Sequence, residues 1–375
     1  MGPATPWAIL LCKFKDDKRG FVTVDLQNTK DMFVGSSTEN IAAYWQDVSY
    51  GSMDFSGSKA FGWLTLDKNQ SDYVGSGRDP QGRQDLVTWA RDAAKDAGYD
   101  LSSFYGVAVF MSTATDLWGG PNNVVCDLDS AMAAILQEFG HGYGLAKHTR
   151  AVSTPTTDYT NPICVMSAMT FGGSDPTYSG PFGASGPLLC SPYVDIAGWL
   201  APNRIHAIPM AGQRPKLTTL RLSPLGERKP AFPQVARFDF DRPYPAAYYV
   251  EYRFGGWDAG LPQALVALHQ RRPDGYCYYA GSIPASNGFR DGKTLLPGRS
   301  WTDPDFDLSV RLDRILDSGE SVEITIGPRS AVQPLSVRQI AAAKLNLRGA
   351  LSVRHQVLQA GDTSLEKRLL GLIDR

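Results

Sequence analysis

The first third of the chain switches between two hydrophobic periods, which predicts alternating strands and helices. Residues 7–14 and 105–111 are nearly continuous apolar runs, the pattern of strands buried on both faces. Apolar residues spaced by three and four predict a helix after the capping segment 37–39 and another over 81–97, which Gly98 would end. Residues 53–66 alternate and are rich in aromatic and hydroxyl side chains, so they predict a hairpin or a long strand.

From about residue 215 the pattern changes to short alternating runs with turn residues between them, which is typical of a β-sandwich. The segment from 149 to 190 has little period and is rich in Thr, Ser, Pro and Gly, and long irregular segments in compact domains are usually functional. Residues 188–200 predict a further helix, and 334–375 return to helical spacing. The expected runs of strand are 216–222, 234–240, 247–254, 264–270, 275–280, 308–314 and 321–326.

Composition and charge indicate the class of protein, but they do not indicate what reaction it could catalyse. The chain has 375 residues, is 43% hydrophobic and carries a formal net charge of −1, so an ordinary globular core is expected and a polyanionic partner such as nucleic acid is not. No apolar run approaches the roughly 20 residues that cross a membrane. The first apolar run lacks a basic leader and a cleavage site, so we expect no signal peptide. The compartment, cytoplasmic or secreted by another route, and the oligomeric state stay open.

Five cysteines without a CxxC pair predict reduced core thiols.

The segment 137–148 reads QEFGHGYGLAKH and is close to the zinc-binding pattern HExxHxxGxxH. In that pattern two histidines four residues apart lie on one face of a helix and bind one zinc ion. The Glu beside the first histidine acts as general base toward a water on the metal, and the Gly allows the turn that brings a third histidine to the metal. Glu138, His141 and Gly144 occupy the corresponding positions here.

Two of the three ligand positions of this pattern carry other residues. Gln137 replaces the first histidine, and a carboxamide oxygen is a weaker zinc ligand than an imidazole. Lys147 replaces the third, and an ammonium group cannot bind a cation. His148 follows one residue later and could serve if the turn after Gly144 absorbs an extra residue.

Several stretches in the same order resemble metzincin-type zinc metallopeptidases, most closely the gametolysin and immune inhibitor A kind. They are WAILLCKFKDD at 7–17, YWQDVSYGSMDFSGSKAFGWLTL at 44–66, QEFGHGYGL at 137–145, YTNPICVMSAM at 159–169, which matches the Met-turn, and YYVEYRFGGWDAGLP at 248–262. The resemblance implies an α/β fold with a metzincin-like catalytic domain at 1–212, a β-sandwich-like domain at 213–330 and a helical tail at 331–375.

The resemblance also implies roles for single residues and a peptide or protein as substrate. Glu138 would be the general base, His141, His148 and Gln137 would hold one zinc ion, and Met166 would form an apolar floor under the metal. Gly119 and Gly120, in what the sequence predicts to be a loop at 117–123, would lie where relatives bind the substrate backbone as an added strand.

Each of these residues also has a purely structural explanation. His141 could be a helix-end histidine packed on aromatic rings, His148 a surface residue, Glu138 a buried or capping carboxylate, and Gln137 a hydrogen-bonding residue that holds the site closed. A carboxylate of Asp158, Asp175 or Asp195 could replace the missing histidine. Because the departures concentrate in one site, the sequence supports two functions: a zinc-dependent peptidase, or a catalytically inactive relative that binds peptides or glycans. Residues His206, His269 and His355 lie outside any motif and are expected to be structural.

Overall fold

A computed structural model of the protein describes residues 4–18, 23–73, 80–167, 177–240, 247–261, 264–284, 298–316, 319–333 and 335. In this part the fold is α/β, with mixed sheets and few helices. The chain divides into two compact units. The first comprises Met1–Ala201, Gly256–Leu261 and His269–Tyr279, and the second comprises Pro202–Gly255, Pro262–Leu268 and Ala280–Arg375. The helical tail predicted at 331–375 falls almost entirely outside the described residues.

The first unit is built on a five-stranded sheet with helices packed against it. Its strands are β1 (Trp7–Lys13), β2 (Lys59–Thr65), β3 (Gly106–Met111), β4 (Trp118–Gly120) and β5 (Asn123–Asp127). Its helices are α1 (Thr23–Val34), α2 (Ile41–Val48), α3 (Pro80–Asp96), α4 (Met132–Gly142) and α5 (Ser191–Ile196). The strand order is β2-β1-β3-β5-β4. The first four strands are parallel and β4 runs antiparallel to β5 at the edge.

The continuous apolar runs form the centre of this sheet, as their pattern predicts. All residues of β3 are buried, as are all but the last residue of β1. One face packs on α3, whose residues Leu86, Ala90 and Ala94 join the core at helical spacing. Helix α2 starts after Asn40, whose side-chain oxygen accepts a hydrogen bond from the Ala43 N–H, so the cap lies just beyond the predicted 37–39 segment.

Four predicted elements differ from the structure. The alternating stretch 53–66 is neither a hairpin nor a long strand, because only β2 is extended and it pairs with β1 in parallel. The predicted loop 117–123 contains the edge strand β4. Helix α4, for which the sequence predicts a start at Asp129 or Ser130, begins at Met132, after Ala131. The helix predicted over 188–200 is the single short helix α5.

The remaining strands have two or three residues before residue 217 and, except for the three-residue β17, five to eight residues after it. They are β6 (Arg150–Ala151), β7 (Tyr178–Gly180), β8 (Gly183–Ser185), β9 (Ile205–Ala207), β10 (Met210–Ala211), β11 (Arg214–Pro215), β12 (Thr218–Leu222), β13 (Val235–Asp239), β14 (Ala247–Arg253), β15 (Leu265–Arg271), β16 (Cys277–Pro284), β17 (Ser300–Thr302), β18 (Ser309–Leu316) and β19 (Ser321–Gly327). Short 3₁₀ helices occupy Gln70–Asp72, Pro202–Arg204 and Gly256–Asp258.

The second unit has its own apolar core between antiparallel strands. Strands β12, β19, β18 and β17 form a four-stranded sheet in that order. Strand β13 pairs antiparallel with β14 and parallel with β9. Inward residues of both groups, such as Leu222, Val250 and Ile324, form one buried cluster. The short apolar runs after residue 215 therefore predict most of these strands, although β12 alternates strictly while β14 is buried at every residue.

All five cysteines are buried free thiols, as predicted. Among the helices that the structure describes, none combines the length and the apolar character that crossing a membrane requires.

Candidate functional site

Helix α4 carries Gln137, Glu138 and His141 in the interior of the first unit. All eleven of its residues are buried, which follows from its apolar sequence and its position against β4 and β5. The helix ends in a tight turn, because the Leu145 N–H donates to the Gly140 carbonyl and Gly144 adopts a φ of +89°. This turn redirects the chain immediately after His141.

The turn brings His148 against His141, although the two residues belong to different elements. Their Nε2 atoms lie 3.1 Å apart and the rings are perpendicular. The Nδ1 atom of His141 lies 2.7 Å from the Leu145 carbonyl oxygen. Since a carbonyl only accepts, Nδ1 carries the hydrogen in the neutral ring and Nε2 presents a lone pair to His148. Burial lowers the pKa of His141, which favours this neutral form.

Two neighbours orient His148. The Tyr159 hydroxyl lies 2.9 Å from Nε2, and a carboxylate oxygen of Asp158 lies 3.8 Å from Nδ1. Burial, and next the neighbouring His141, lower the pKa of His148 to about 4. Asp158 is itself held by a 2.6 Å ion pair with the Arg150 Nε. At 3.8 Å this carboxylate is too far for a hydrogen bond, but it lies on the side of the ring where an acceptor orients a ligating histidine in metal sites.

Glu138 is a buried carboxyl on α4, three residues before His141. Its exposed fraction is 7%, and burial raises its pKa to about 8. The charge of Arg83 and a hydrogen bond from the Gly119 N–H oppose this rise, and the charge of Asp116 adds to it. The Gln137 Nε2 lies 3.5 Å from the Glu138 Oε1, at the limit of a hydrogen bond. Without a cation beside it, Glu138 therefore keeps its proton at neutral pH.

Edge strand β4 lies directly on α4, and this contact depends on glycine. A Cβ at Gly119 would lie 2.1 Å from the Glu138 carbonyl oxygen and 2.8 Å from the His141 Cβ. No larger residue fits there without moving the strand. The strand was missed in the sequence because three residues that include two glycines have low β-propensity.

Met166 lies against the other side of the helix. It is fully buried, and a Cβ at Gly140 would lie 2.4 Å from its sulfur. The Thr149 N–H donates to the Met166 carbonyl at 2.8 Å, so the residue after His148 is tied to this segment. This part of the chain thereby positions the loop that carries His148.

Lys147 does not face the imidazoles. Its Nζ lies 4.9 Å from the centre of the Tyr276 ring, and the side chain is exposed. The Tyr193 hydroxyl donates to the Lys147 carbonyl at 2.7 Å and approaches the His148 carbonyl at 3.4 Å. The positive charge that the sequence places at a ligand position is thus directed toward the Tyr276 ring and not toward the two imidazoles. Neither Tyr193 nor Tyr276 carried a signal in the sequence.

Of the three carboxylates considered as substitute ligands, the structure describes two, and neither of them faces the Nε2 atoms of the two histidines. Asp158 lies on the Nδ1 side of His148, Asp195 lies 3.6 Å from the Arg271 guanidinium, and Asp175 is outside the described residues. Within the described ranges, no group of three or more His, Cys, Asp or Glu side chains is arranged to hold a metal ion. Among the residues that the structure describes, a third protein ligand would have to be a group of another kind, such as the Gln137 carboxamide.

The two imidazoles themselves fit a zinc ion. Two nitrogens bound to one tetrahedral zinc at about 2.0–2.1 Å lie roughly 3.3 Å apart, close to the 3.1 Å between His141 and His148. Gln137 precedes His141 by four residues and so shares its helix face. Of the other histidines, His269 is buried and is within 3.2 Å of the Asn161 Nδ2, His206 is in β9 of the second unit, and His355 is outside the described residues.

An ion pair that the sequence did not predict adjoins Glu138. Arg83 on α3 donates a hydrogen bond to Asp116, just before β4. Both side chains are largely buried, and both charges act on the pKa of Glu138.

No model of a known protein family matches the chain, and no curated protein matches it. Two crystal structures of wild-type OgpA from Akkermansia muciniphila, in different crystal forms, are similar to it at 12% sequence identity. The TM-scores are 0.36 and 0.35, and the matches cover 76% and 75% of this chain and 95% and 92% of OgpA. Similarity at this level identifies neither a family nor an activity. What this chain does is therefore inferred from its own residues.

Proposed function

We propose that the protein is a zinc-dependent peptidase whose metal is held by His141, His148 and Gln137. The observation that carries the proposal is the 3.1 Å approach of the two Nε2 atoms, one of which lies on the helix that also carries the buried Glu138 carboxyl. The neutral rings and the Nδ1 contacts to Leu145 and Asp158 are those expected of ligating histidines. The finer fold assignment belongs to the same proposal: a metzincin-like domain at 1–212, a β-sandwich-like domain at 213–330 and a helical tail at 331–375.

Glu138 would move the proton in this reaction. Zinc, when bound, would polarise the scissile carbonyl and lower the pKa of a bound water. The Glu138 carboxylate would accept the proton of the attacking water and pass it to the leaving amine. A nearby dication lowers the pKa of a carboxyl, so the raised pKa of about 8 is that of the metal-free site. The Tyr159 hydroxyl, 2.9 Å from the His148 Nε2, would donate a hydrogen bond to the developing oxyanion.

Strand β4 would bind the substrate backbone. It is the edge of the first unit's sheet and reaches Glu138 through the Gly119 N–H. An extended peptide added to this edge would continue the sheet past Glu138 and the two histidines.

The test is hydrolysis of a peptide mixture by the full chain, with Glu138→Gln as matched control. We expect the full chain to hydrolyse the peptides, to stop when zinc is removed and to resume when zinc is added. Glu138→Gln keeps the shape of the side chain but cannot accept the proton, so it should keep its zinc and lose turnover. Residual hydrolysis in that variant would contradict the role given to Glu138.

The second candidate is a catalytically inactive relative that binds peptides or glycans. It is favoured by one observation: within the described ranges no third His, Cys, Asp or Glu completes the metal site. This candidate predicts that the zinc-supplied protein hydrolyses nothing while still binding a peptide or glycan in the cleft. Zinc-dependent hydrolysis by the full chain excludes it.

A further inference from the structure

The residue that breaks the metal pattern occupies a defined position at the rim of the site. Lys147 precedes His148, and its carbonyl accepts a 2.7 Å hydrogen bond from the Tyr193 hydroxyl. Its ammonium lies 4.9 Å from the centre of the Tyr276 ring. The electron-rich face of an aromatic ring attracts a cation, so the ring fixes the direction of an otherwise flexible, exposed side chain.

The charged groups described around Lys147 balance, with two guanidinium groups and two carboxylates, so the Lys147 ammonium is the excess positive charge. The Arg150 guanidinium stacks on the same Tyr276 ring, 3.5 Å from its centre, but Arg150 is neutralised by the 2.6 Å ion pair with Asp158. Nearby, Asp274 accepts a hydrogen bond from the Tyr278 hydroxyl and Arg272 covers the Tyr278 ring. Over the ranges that the structure describes, no carboxylate pairs with Lys147, which leaves its ammonium open to an anion from outside.

We propose that Lys147 is a specificity-determining residue that selects peptides with an acidic side chain next to the segment held at His148. This inference rests on the proposed function. A substrate that reaches the two imidazoles passes the residue beside them, and a carboxylate there would pair with the Lys147 ammonium. In this proposal Lys147, which cannot bind zinc, recognises an acidic side chain of the substrate.

The test uses synthetic octapeptide pools with a neutral fluorophore and blocked termini. In each pair of pools one position holds Glu or Gln and all others hold uncharged residues. Binding is measured by fluorescence anisotropy to zinc-supplied full-length protein carrying Glu138→Gln, which is expected not to cleave the probe. At one position the Glu pool should bind about two- to fivefold more tightly than the Gln pool, the range of an exposed ion pair, and added salt should reduce the difference.

Substitutions at Lys147 then decide the source of the preference. Lys147→Gln should abolish it, and Lys147→Glu should reverse it in favour of the Gln pool. Lys95→Glu, on the exposed surface of α3, makes the same charge change elsewhere and should leave the preference intact. No preference for Glu at any position, or a preference that survives in Lys147→Glu, overturns the proposal.

Hydrolysis of the same pools by the wild-type chain separates this proposal from the proposed function. A Lys147-dependent preference in binding without any hydrolysis supports recognition by Lys147 and contradicts the peptidase. Zinc-dependent hydrolysis with no preference for the Glu pools supports the peptidase and contradicts the role of Lys147.

Discussion

The Nε2 atoms of His141 and His148 lie 3.1 Å apart across the turn that ends α4. In the zinc pattern the corresponding histidine comes one residue earlier, at the position of Lys147. The turn absorbs the extra residue because Gly144 takes a positive φ and Tyr193 holds the carbonyl of Lys147. The shifted histidine therefore lies against His141.

Moving the histidine back to the position of the pattern should not restore a metal site. In the double variant Lys147→His, His148→Ala the new imidazole is attached at residue 147, where the side chain points toward Tyr276. We expect zinc affinity to fall at least tenfold, as in His148→Ala alone, because one imidazole ligand is lost in both. Isothermal titration with zinc measures this. Affinity equal to wild type in the double variant would mean that the loop does not fix these directions.

Gln137 should be the weakest of the three proposed ligands. An imidazole binds zinc better than a carboxamide oxygen, so Gln137→His should raise zinc affinity about tenfold or more. Gln137→Ala should lower it. Competition with a chromogenic chelator measures both variants against wild type. Equal affinities in all three proteins would show that Gln137 is not a ligand, and would turn attention to Tyr159, whose hydroxyl lies 2.9 Å from the His148 Nε2.

Gly119→Ala should damage stability and the site together. The new Cβ would lie 2.1 Å from the Glu138 carbonyl oxygen, and overpacking of this kind destabilises a protein by about 1–3 kcal/mol. Gly62→Ala on β2 is the matched control, since a Cβ there would meet only an ordinary 3.7 Å contact with Leu26. Urea denaturation and zinc titration should both separate the two variants. Wild-type behaviour of Gly119→Ala would show that β4 does not lie on α4.

The stability of the metal-free protein should depend on pH through Glu138. Burial raises the pKa of this carboxyl from 4.5 to about 8, so between these values the unfolded chain releases a proton that the folded chain keeps. The free energy of unfolding contributed by Glu138 is therefore full below pH 4.5 and is lost as the pH rises toward 8. Relative to Glu138→Gln, wild type should become less stable over this window.

His148 changes the pH dependence of stability in the opposite direction, but it is present in both the wild type and Glu138→Gln. Its pKa is lowered from 6.5 to about 4, so its contribution is lost as the pH falls from 6.5 toward 4. Because it cancels in the comparison, urea denaturation of both proteins in a chelating buffer isolates Glu138. A stability difference that is constant from pH 5 to pH 8 would contradict the buried, protonated carboxyl.

The sequence predicts the parts of this site that depend on local period. The spacing of the motif predicts that one helix carries Gln137, Glu138 and His141. Continuous apolar runs predict the buried strands β1 and β3. The strand pattern after residue 215 is equally local, since β12 to β16, β18 and β19 each coincide with a short apolar run of the sequence.

The parts that depend on distant contacts could not be predicted. The direction of Lys147 is set by Tyr276 and Tyr193, which are far away along the chain. Strand β4 forms because β5 and α4 hold it, although its own residues have little tendency to extend. The stretch 53–66 has an alternating pattern, but Gly57 adopts a φ of +86° and turns the chain before β2 begins.

The zinc content of the purified full-length chain shows whether His141 and His148 bind one metal ion together. Elemental mass spectrometry would compare wild type, supplied with zinc and then freed of loosely bound metal, with His141→Ala and His148→Ala. We expect about one zinc ion per wild-type chain, as in a mononuclear site, and we expect both variants to lose this zinc. Wild-type protein without zinc, or zinc retained in His148→Ala, would contradict it.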